Sequence, residues 1–194
     1  MGENMIIFRK TAKILVVFMA IIFTISSINF FAFIINRYLY PLKYKEVVIE
    51  NADLYGLDRA LVFATIKVES SFDKNAQSNK GAVGLMQITL STAEYIAKRL
   101  NINEYDLQDE NINVRFGCYY LRYLIDKFKN IETAICAYNA GEGNVSKWLK
   151  DSDYSDDGIT LKTIPFKETE EYLKKIVKTF EKYKKLYGNL LDKR

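Results

Sequence analysis

Hydrophobic and polar positions divide the chain near residue 37. Before it, residues 14–35 read ILVVFMAIIFTISSINFFAFII, with no charged side chain and no polar face. As a helix the run reaches roughly 33 Å, enough to cross a hydrocarbon core of about 30 Å. A soluble helix of that length would carry a polar stripe. Arg9, Lys10 and Lys13 precede the run; Arg37, Lys43 and Lys45 follow it. A cleaved secretory signal has a shorter apolar stretch and a small-residue site behind it, whereas Asn36-Arg37-Tyr38 stands here. The pattern predicts an uncleaved membrane anchor, and its balanced cationic flanks leave the orientation open.

Beyond residue 37 the period becomes that of amphipathic helices. YKEVVIENADLYG, 44–56, predicts a helix with Val47, Val48, Ala52 and Tyr55 near one face and Gly56 as its stop. Asp58 can cap a second helix, with Leu61, Val62, Thr65, Ile66 and Val68 inward and Glu69 at its end. Residues 70–84 are polar and finish in Gly81-Ala82-Val83-Gly84, a loop by composition. Ser91-Thr92-Ala93-Glu94 fits a capping box and predicts a helix to about Leu100. Further helices are predicted over 111–128, 131–139 and from about Lys167 to Tyr187. The last would turn Tyr172, Ile176, Phe180 and Tyr183 inward and stop at Gly188, while 151–158 forms an acidic loop. The fold class expected is all-α: residues 1–37 an N-terminal tail and transmembrane anchor, residues 38–194 one globular helical domain.

Composition narrows the chemistry. The chain has no histidine, which removes Ser-His-Asp and Cys-His catalysis and His-ligated zinc together. Acid–base work falls to Glu, Asp, Lys, Tyr or Cys. No cofactor and no metal is expected. The net charge is +4, but much of the excess lies in residues 1–37, where Arg9, Lys10, Lys13 and Arg37 oppose Glu3 alone. The rest is nearly neutral and carries no nucleic-acid footprint. Cys118 and Cys136 are the only cysteines, both in apolar helical patterns. They read as small core residues, or as a disulfide if their helices adjoin in an oxidising compartment.

Four short motifs remain. Glu69 ends a buried helix face, where the helix dipole does not favour a carboxylate; it is a solvated charge or a group held over a cleft. GAVGLMQIT, 81–89, sets two glycines around a turn bearing Gln87, whose amide suits sugar hydroxyls. It could equally be a loop that buries Leu85 and Met86. AYNAGEGNV, 137–145, puts Tyr138 and Asn139 at a helix end before two glycines, as a cleft wall or as a plain stop. PFKETEEYL, 165–173, opens the last helix, with Glu168 and Thr169 as first-turn caps or site residues.

In this order, E-S-x-F, G-x-x-G-L-M-Q, A-Y-N-A-G-x-G-x-V and P-F-x-E-T-x-x-Y resemble the catalytic domain of the soluble lytic transglycosylase family, with its goose-type lysozyme-like fold. The resemblance spans about residues 44–187. It implies that Glu69 is the catalytic acid/base. It implies that Ser78, Gln87, Tyr138, Asn139, Glu168 and Tyr172 bind substrate. Thr89 departs from the family, where many members carry methionine. The substrate implied is peptidoglycan, cut between N-acetylmuramic acid and N-acetylglucosamine with formation of a 1,6-anhydro ring. A muramidase using water and a non-catalytic wall-binding scaffold are the alternatives. The partners expected are glycan strands and, through residues 14–35, the cytoplasmic membrane, with the domain on its outer side.

Overall fold

The computed structural model describes residues 2–192. The side chains of residues 2–12 and of Ile14 lie outside the described residues, and with them the flanking charges Glu3, Arg9 and Lys10. The described residues form eight helices and no strand longer than an isolated bridge. Two compact units divide at Pro41.

The first unit is α1, Gly2–Leu39. Its segment Leu15–Leu39 contains an 18-residue stretch of mean hydropathy 2.3, none of it buried within the protein, and by length and composition it suffices to cross a membrane.

The second unit is built around α3, Arg59–Ser70. Asp58 caps it, accepting from the Ala60 N–H at 2.8 Å. Every residue from Ala60 to Ile66 is buried, so α3 is enclosed on all sides rather than amphipathic, and Phe63 and Ala64 join the inward set. Val68, expected inward, is only half-buried. Against α3 lies α8, Lys167–Leu191, with Tyr172, Ile176, Thr179, Tyr183 and Tyr187 buried along one face. The Phe63 and Tyr183 rings stack at 5.6 Å. Each such large side chain contributes roughly 1.5–3 kcal/mol by leaving water. On the other side α2, Lys45–Leu54, packs on both α3 and α5, Glu110–Phe128. The pair α5 and α6, Ile131–Ala140, closes the core over Leu124, Ala134 and Cys136. Arg59 joins three elements: its guanidinium is bidentate to Asp53 at 2.6 and 2.9 Å and donates to the Leu191 carbonyl at 3.3 Å.

Several local expectations are corrected. The first residue of α4, Leu90–Leu100, precedes the Ser91 capping box; Thr89 is the N-cap and its hydroxyl accepts from the Thr92 N–H. The bridge between Val83 and Ile88 already ends the loop there, so the helix starts at once. A short helix α7, Glu142–Trp148, follows the break at Gly141 and was not expected. Gly188 lies inside α8, because buried Tyr187 and Leu191 continue its inward face past the glycine, while Phe180 is only half-buried. Cys118 and Cys136 are buried and free, so the disulfide reading is not realised. Burial pushes both thiols up, Cys136 to about 12.

Candidate active site

The end of α3 is set by its neighbours. Ser71 and Phe72 both adopt left-handed backbone, φ 52° and 67°, without a glycine between them. Such residues carry strain that surrounding contacts must hold. Ser70 supplies one of them. Its hydroxyl donates to the Leu85 carbonyl at 2.9 Å and accepts from the Phe72 N–H at 3.2 Å. The last turn bearing Glu69 is thereby fixed to the glycine loop.

That loop is clamped from α5 by Asn113. The buried amide donates to the Val83 and Leu107 carbonyls at 2.9 and 2.8 Å, and its oxygen accepts from the Met86 N–H at 2.8 Å. Gly84 makes the approach possible. It sits at φ 80°, and a Cβ there would fall 2.2 Å from Asn113 Nδ2. Gln87, itself left-handed at φ 49°, spends its amide hydrogens on the Gly84 and Ala76 carbonyls at 2.9 and 3.1 Å. Its oxygen is the part left to face a ligand.

The loop, α3, α6 and α8 enclose a cleft of about 280 Å³. Six of the seven sequence-predicted residues line it: Glu69, Ser78, Gln87, Tyr138, Asn139 and Glu168. The seventh, Tyr172, is buried behind Glu69 and donates to its Oε1 at 2.5 Å. Burial pushes the Glu69 carboxyl up to about 7, and the Tyr172 hydrogen bond only partly opposes that rise. Burial and the nearby Glu69 charge raise both Tyr172 and Tyr138 well above the usual phenol range, so both remain protonated. The Tyr138 hydroxyl donates to the Met86 carbonyl at 2.8 Å, which leaves it an acceptor toward the cleft. Ser78 lies on the exposed rim, its oxygen accepting from the Ala82 N–H at 3.0 Å. Glu168 is on the same rim, 3.5 Å from the Lys80 ammonium, and both side chains are exposed.

Thr169 is the residue whose role was missed. It does not cap α8, whose N-cap Phe166 has no side-chain bond. It is buried and donates to Asn139 Oδ1 at 2.7 Å. That bond fixes the amide orientation and leaves the Asn139 NH₂ as the group available to a ligand. Asn113 was likewise unmarked, and Ser70 stood in the E-S-x-F motif without a role. Their partners in the glycine loop, Val83, Leu85 and Met86, lie 15 to 30 residues away, beyond any local pattern.

A helical domain that suspends a half-buried glutamate in the wall of an open polar cleft is lysozyme-like in architecture. Residues 46–159 match the Transglycosylase SLT domain, and the chain belongs to that family. It is 31% identical over 155 residues to the soluble lytic murein transglycosylase of Salmonella typhimurium, covering 77% of this chain and 24% of that protein. To membrane-bound lytic murein transglycosylase C of Haemophilus ducreyi it is 30% identical over 167 residues, covering 73% of this chain and 45% of the relative. The lytic transglycosylase Slt of Pseudomonas aeruginosa, solved as an inactive glutamate-to-glutamine mutant, superposes with a TM-score of 0.67 at 32% identity. That match covers 76% of this chain and 25% of the other. The chain therefore spans about a quarter of the length of the S. typhimurium and P. aeruginosa relatives.

Proposed function

We propose that the protein is a membrane-anchored peptidoglycan lytic transglycosylase that cleaves the MurNAc–GlcNAc bond and leaves 1,6-anhydro-MurNAc ends. The observation that carries this reading is a carboxyl in the cleft wall, Glu69, that burial keeps protonated to about pH 7. Family membership supports it, as does the loss of activity in the P. aeruginosa relative bearing one glutamate-to-glutamine change.

Glu69 donates its proton to the glycosidic oxygen as the C1–O bond breaks, and GlcNAc leaves with a free hydroxyl. The carboxylate then takes the proton of the muramic C6 hydroxyl as that oxygen bonds to C1. No water is consumed and Glu69 ends protonated. A two-carboxylate scheme needs a second acid flanking the bond. Glu168, the other acid of the cleft, is exposed and paired with Lys80, which favours the one-carboxylate route. The intramolecular attack replaces an activated water by proximity. The Asn139 amide, held by Thr169, is a donor suited to the sugar's acyl or hydroxyl oxygens.

Mass spectrometry of fragments from purified peptidoglycan tests the reading. Muramic ends one water lighter, about 18 Da, and resistant to borohydride are expected from ring closure; reducible ends would make the protein a hydrolase. The substrate lies outside the cytoplasmic membrane, so the domain beyond α1 belongs on that side. Protease added to spheroplasts should digest it, and complete protection would reject the orientation.

A further inference from the structure

Among the described residues, one ion pair has both partners in the lining of the cleft: Lys80 Nζ stands 3.5 Å from Glu168 Oε2. We propose that this pair is an autoinhibitory latch. In the empty protein Lys80 occupies the Glu168 carboxylate, and a glycan strand displaces it before Glu168 can meet a sugar. The inference rests on the transglycosylase reading and adds to it a control on entry.

The backbone delivers Lys80 to this position. It lies at the tip of a turn closed by three hydrogen bonds. The Ser78 N–H donates to the Ala82 carbonyl and the Gly81 N–H to the Ser78 carbonyl, each at 2.9 Å, and the Ala82 N–H donates to Ser78 Oγ at 3.0 Å. A bridge between Gln77 and Val83 holds the turn from behind. Glu168 arrives from 88 residues away, in the first turn of α8. That turn is fixed against the site: Thr169 holds Asn139, and Tyr172, one turn on, donates to Glu69. A carboxylate so placed accepts from sugar hydroxyls and acetamido N–H groups, the role that the family resemblance implies for it. Lys80 reaches that acceptor first, and its side chain takes up room in the cleft as well.

The contact is also suited to yielding. The two side chains are 79% and 70% exposed, so their attraction is weak and is screened by salt. The other bonds that frame the cleft, from Ser70 to Leu85, Asn113 to Val83 and Thr169 to Asn139, all involve buried or half-buried groups. The Lys80–Glu168 pair is therefore the part of the frame that parts most readily. Closed, it lowers apparent affinity by the share of molecules in which it is made.

The test asks whether removing a cation from the cleft tightens binding. Full-length Glu69→Gln protein in detergent is titrated calorimetrically with an N-acetylglucosamine hexasaccharide, which is uncharged, so that salt acts on the protein alone. Adding Lys80→Gln should tighten binding by about two- to fivefold, the range of an exposed ion pair. Raising the salt should tighten binding to the parent and leave the Lys80→Gln variant unmoved. Lys80→Arg, which keeps the charge, should stay near the parent. Unchanged affinity in Lys80→Gln overturns the latch and leaves a solvated surface pair. Weaker binding overturns it too and makes Lys80 a direct contact to sugar. An equal gain from Lys74→Gln, which breaks the Lys74–Glu110 pair outside the cleft lining, also overturns it, as a general effect of charge. Where the hexasaccharide does not bind, fragment release from purified peptidoglycan below saturation decides: Lys80→Gln with Glu69 intact should be about two- to fivefold faster than wild type, and an equal or slower rate overturns the latch. If wild type releases no fragments and the parent binds no hexasaccharide, the transglycosylase reading itself has failed, and the latch falls with it.

Discussion

The Tyr172 hydroxyl donates to Glu69 Oε1 at 2.5 Å, from α8 to the end of α3. It is the one interaction on Glu69 that favours the charged form, against a larger effect of burial. Tyr172 therefore acts as a positioning residue that makes Glu69 a stronger acid than its surroundings alone would. If Glu69 is the acid proposed above, the bond strengthens as the carboxyl gives up its proton and stabilises the transition state more than the ground state. Tyr172→Phe should lower kcat by about ten- to hundredfold, the range of a hydrogen bond to a charged group. It should also move the alkaline limb of the pH–rate profile to higher pH, because the Glu69 carboxyl loses the contact that lowers it. A slower enzyme with an unmoved limb would leave Tyr172 a purely structural role.

Glu69 should also cost stability. Its folded-state value is about 7, above the ordinary range that it takes in the unfolded chain. Between about pH 4.5 and 7 the folded protein binds more protons than the unfolded one, so stability falls as pH rises through that window. Below it no penalty remains; above it the full penalty, roughly 3 kcal/mol, persists. Glu69→Gln keeps an acceptor for Tyr172 and carries no charge. The variant should match wild type near pH 4 and exceed it by up to about 3 kcal/mol near pH 8, while losing at least about 10²-fold in turnover. Denaturant unfolding at the two pH values checks the first claim. A gain that does not depend on pH would show that Glu69 is not a buried acid.

The glycine loop should fail as a unit. Gly84→Ala adds a Cβ at φ 80° and 2.2 Å from Asn113 Nδ2, so strain and clash together should cost more than about 3 kcal/mol. Asn113→Ala removes three hydrogen bonds, two to the glycine loop and one to the Leu107 carbonyl, and should cost about as much. The double variant should cost less than the two added, because the second change removes the atoms that the first one strikes. Additive costs in chemical denaturation would mean that the loop and Asn113 are not coupled.

Much of this architecture was legible in the sequence, for identifiable reasons. The stop after Glu69 showed as a run of apolar positions ending in polar Ser70 and Ser71. The four motifs each sit where a helix meets a loop, and that is where the cleft lies. What was not legible depended on distant partners. The Ser91 capping box matched a pattern, but the bridge between Val83 and Ile88 had already set the start of α4 at Thr89. Two glycines after Asn139 suggested a clean break, yet only Gly141 takes a left-handed φ, and Gly143 continues into α7. Gln87 was read as a donor and acceptor for sugar, but its donors close the loop that carries it.

Thr169 shows the same limit at the site itself, and it makes the sharpest prediction there. From sequence it was a helix cap or a site residue; in the fold it is buried and donates to Asn139 Oδ1 at 2.7 Å. An asparagine amide can flip, exchanging a donor for an acceptor with little change of shape. The Thr169 hydroxyl prevents that by holding the oxygen inward, so that the NH₂ is presented to the cleft. Thr169→Val keeps the volume and removes only the donor. The fold should lose about 1 kcal/mol, the worth of one neutral hydrogen bond. If the Asn139 NH₂ grips the sugar in the transition state, kcat/KM should fall further, by about tenfold or more, with kcat carrying most of the loss. Thr169→Ser, which restores the hydroxyl on a smaller side chain, should recover most of the activity but not all of the stability. Steady-state kinetics on soluble glycan strands, read beside thermal melts, separates the two effects. Activity that tracks stability across the pair, with no rescue by serine, would reduce Thr169 to a packing residue.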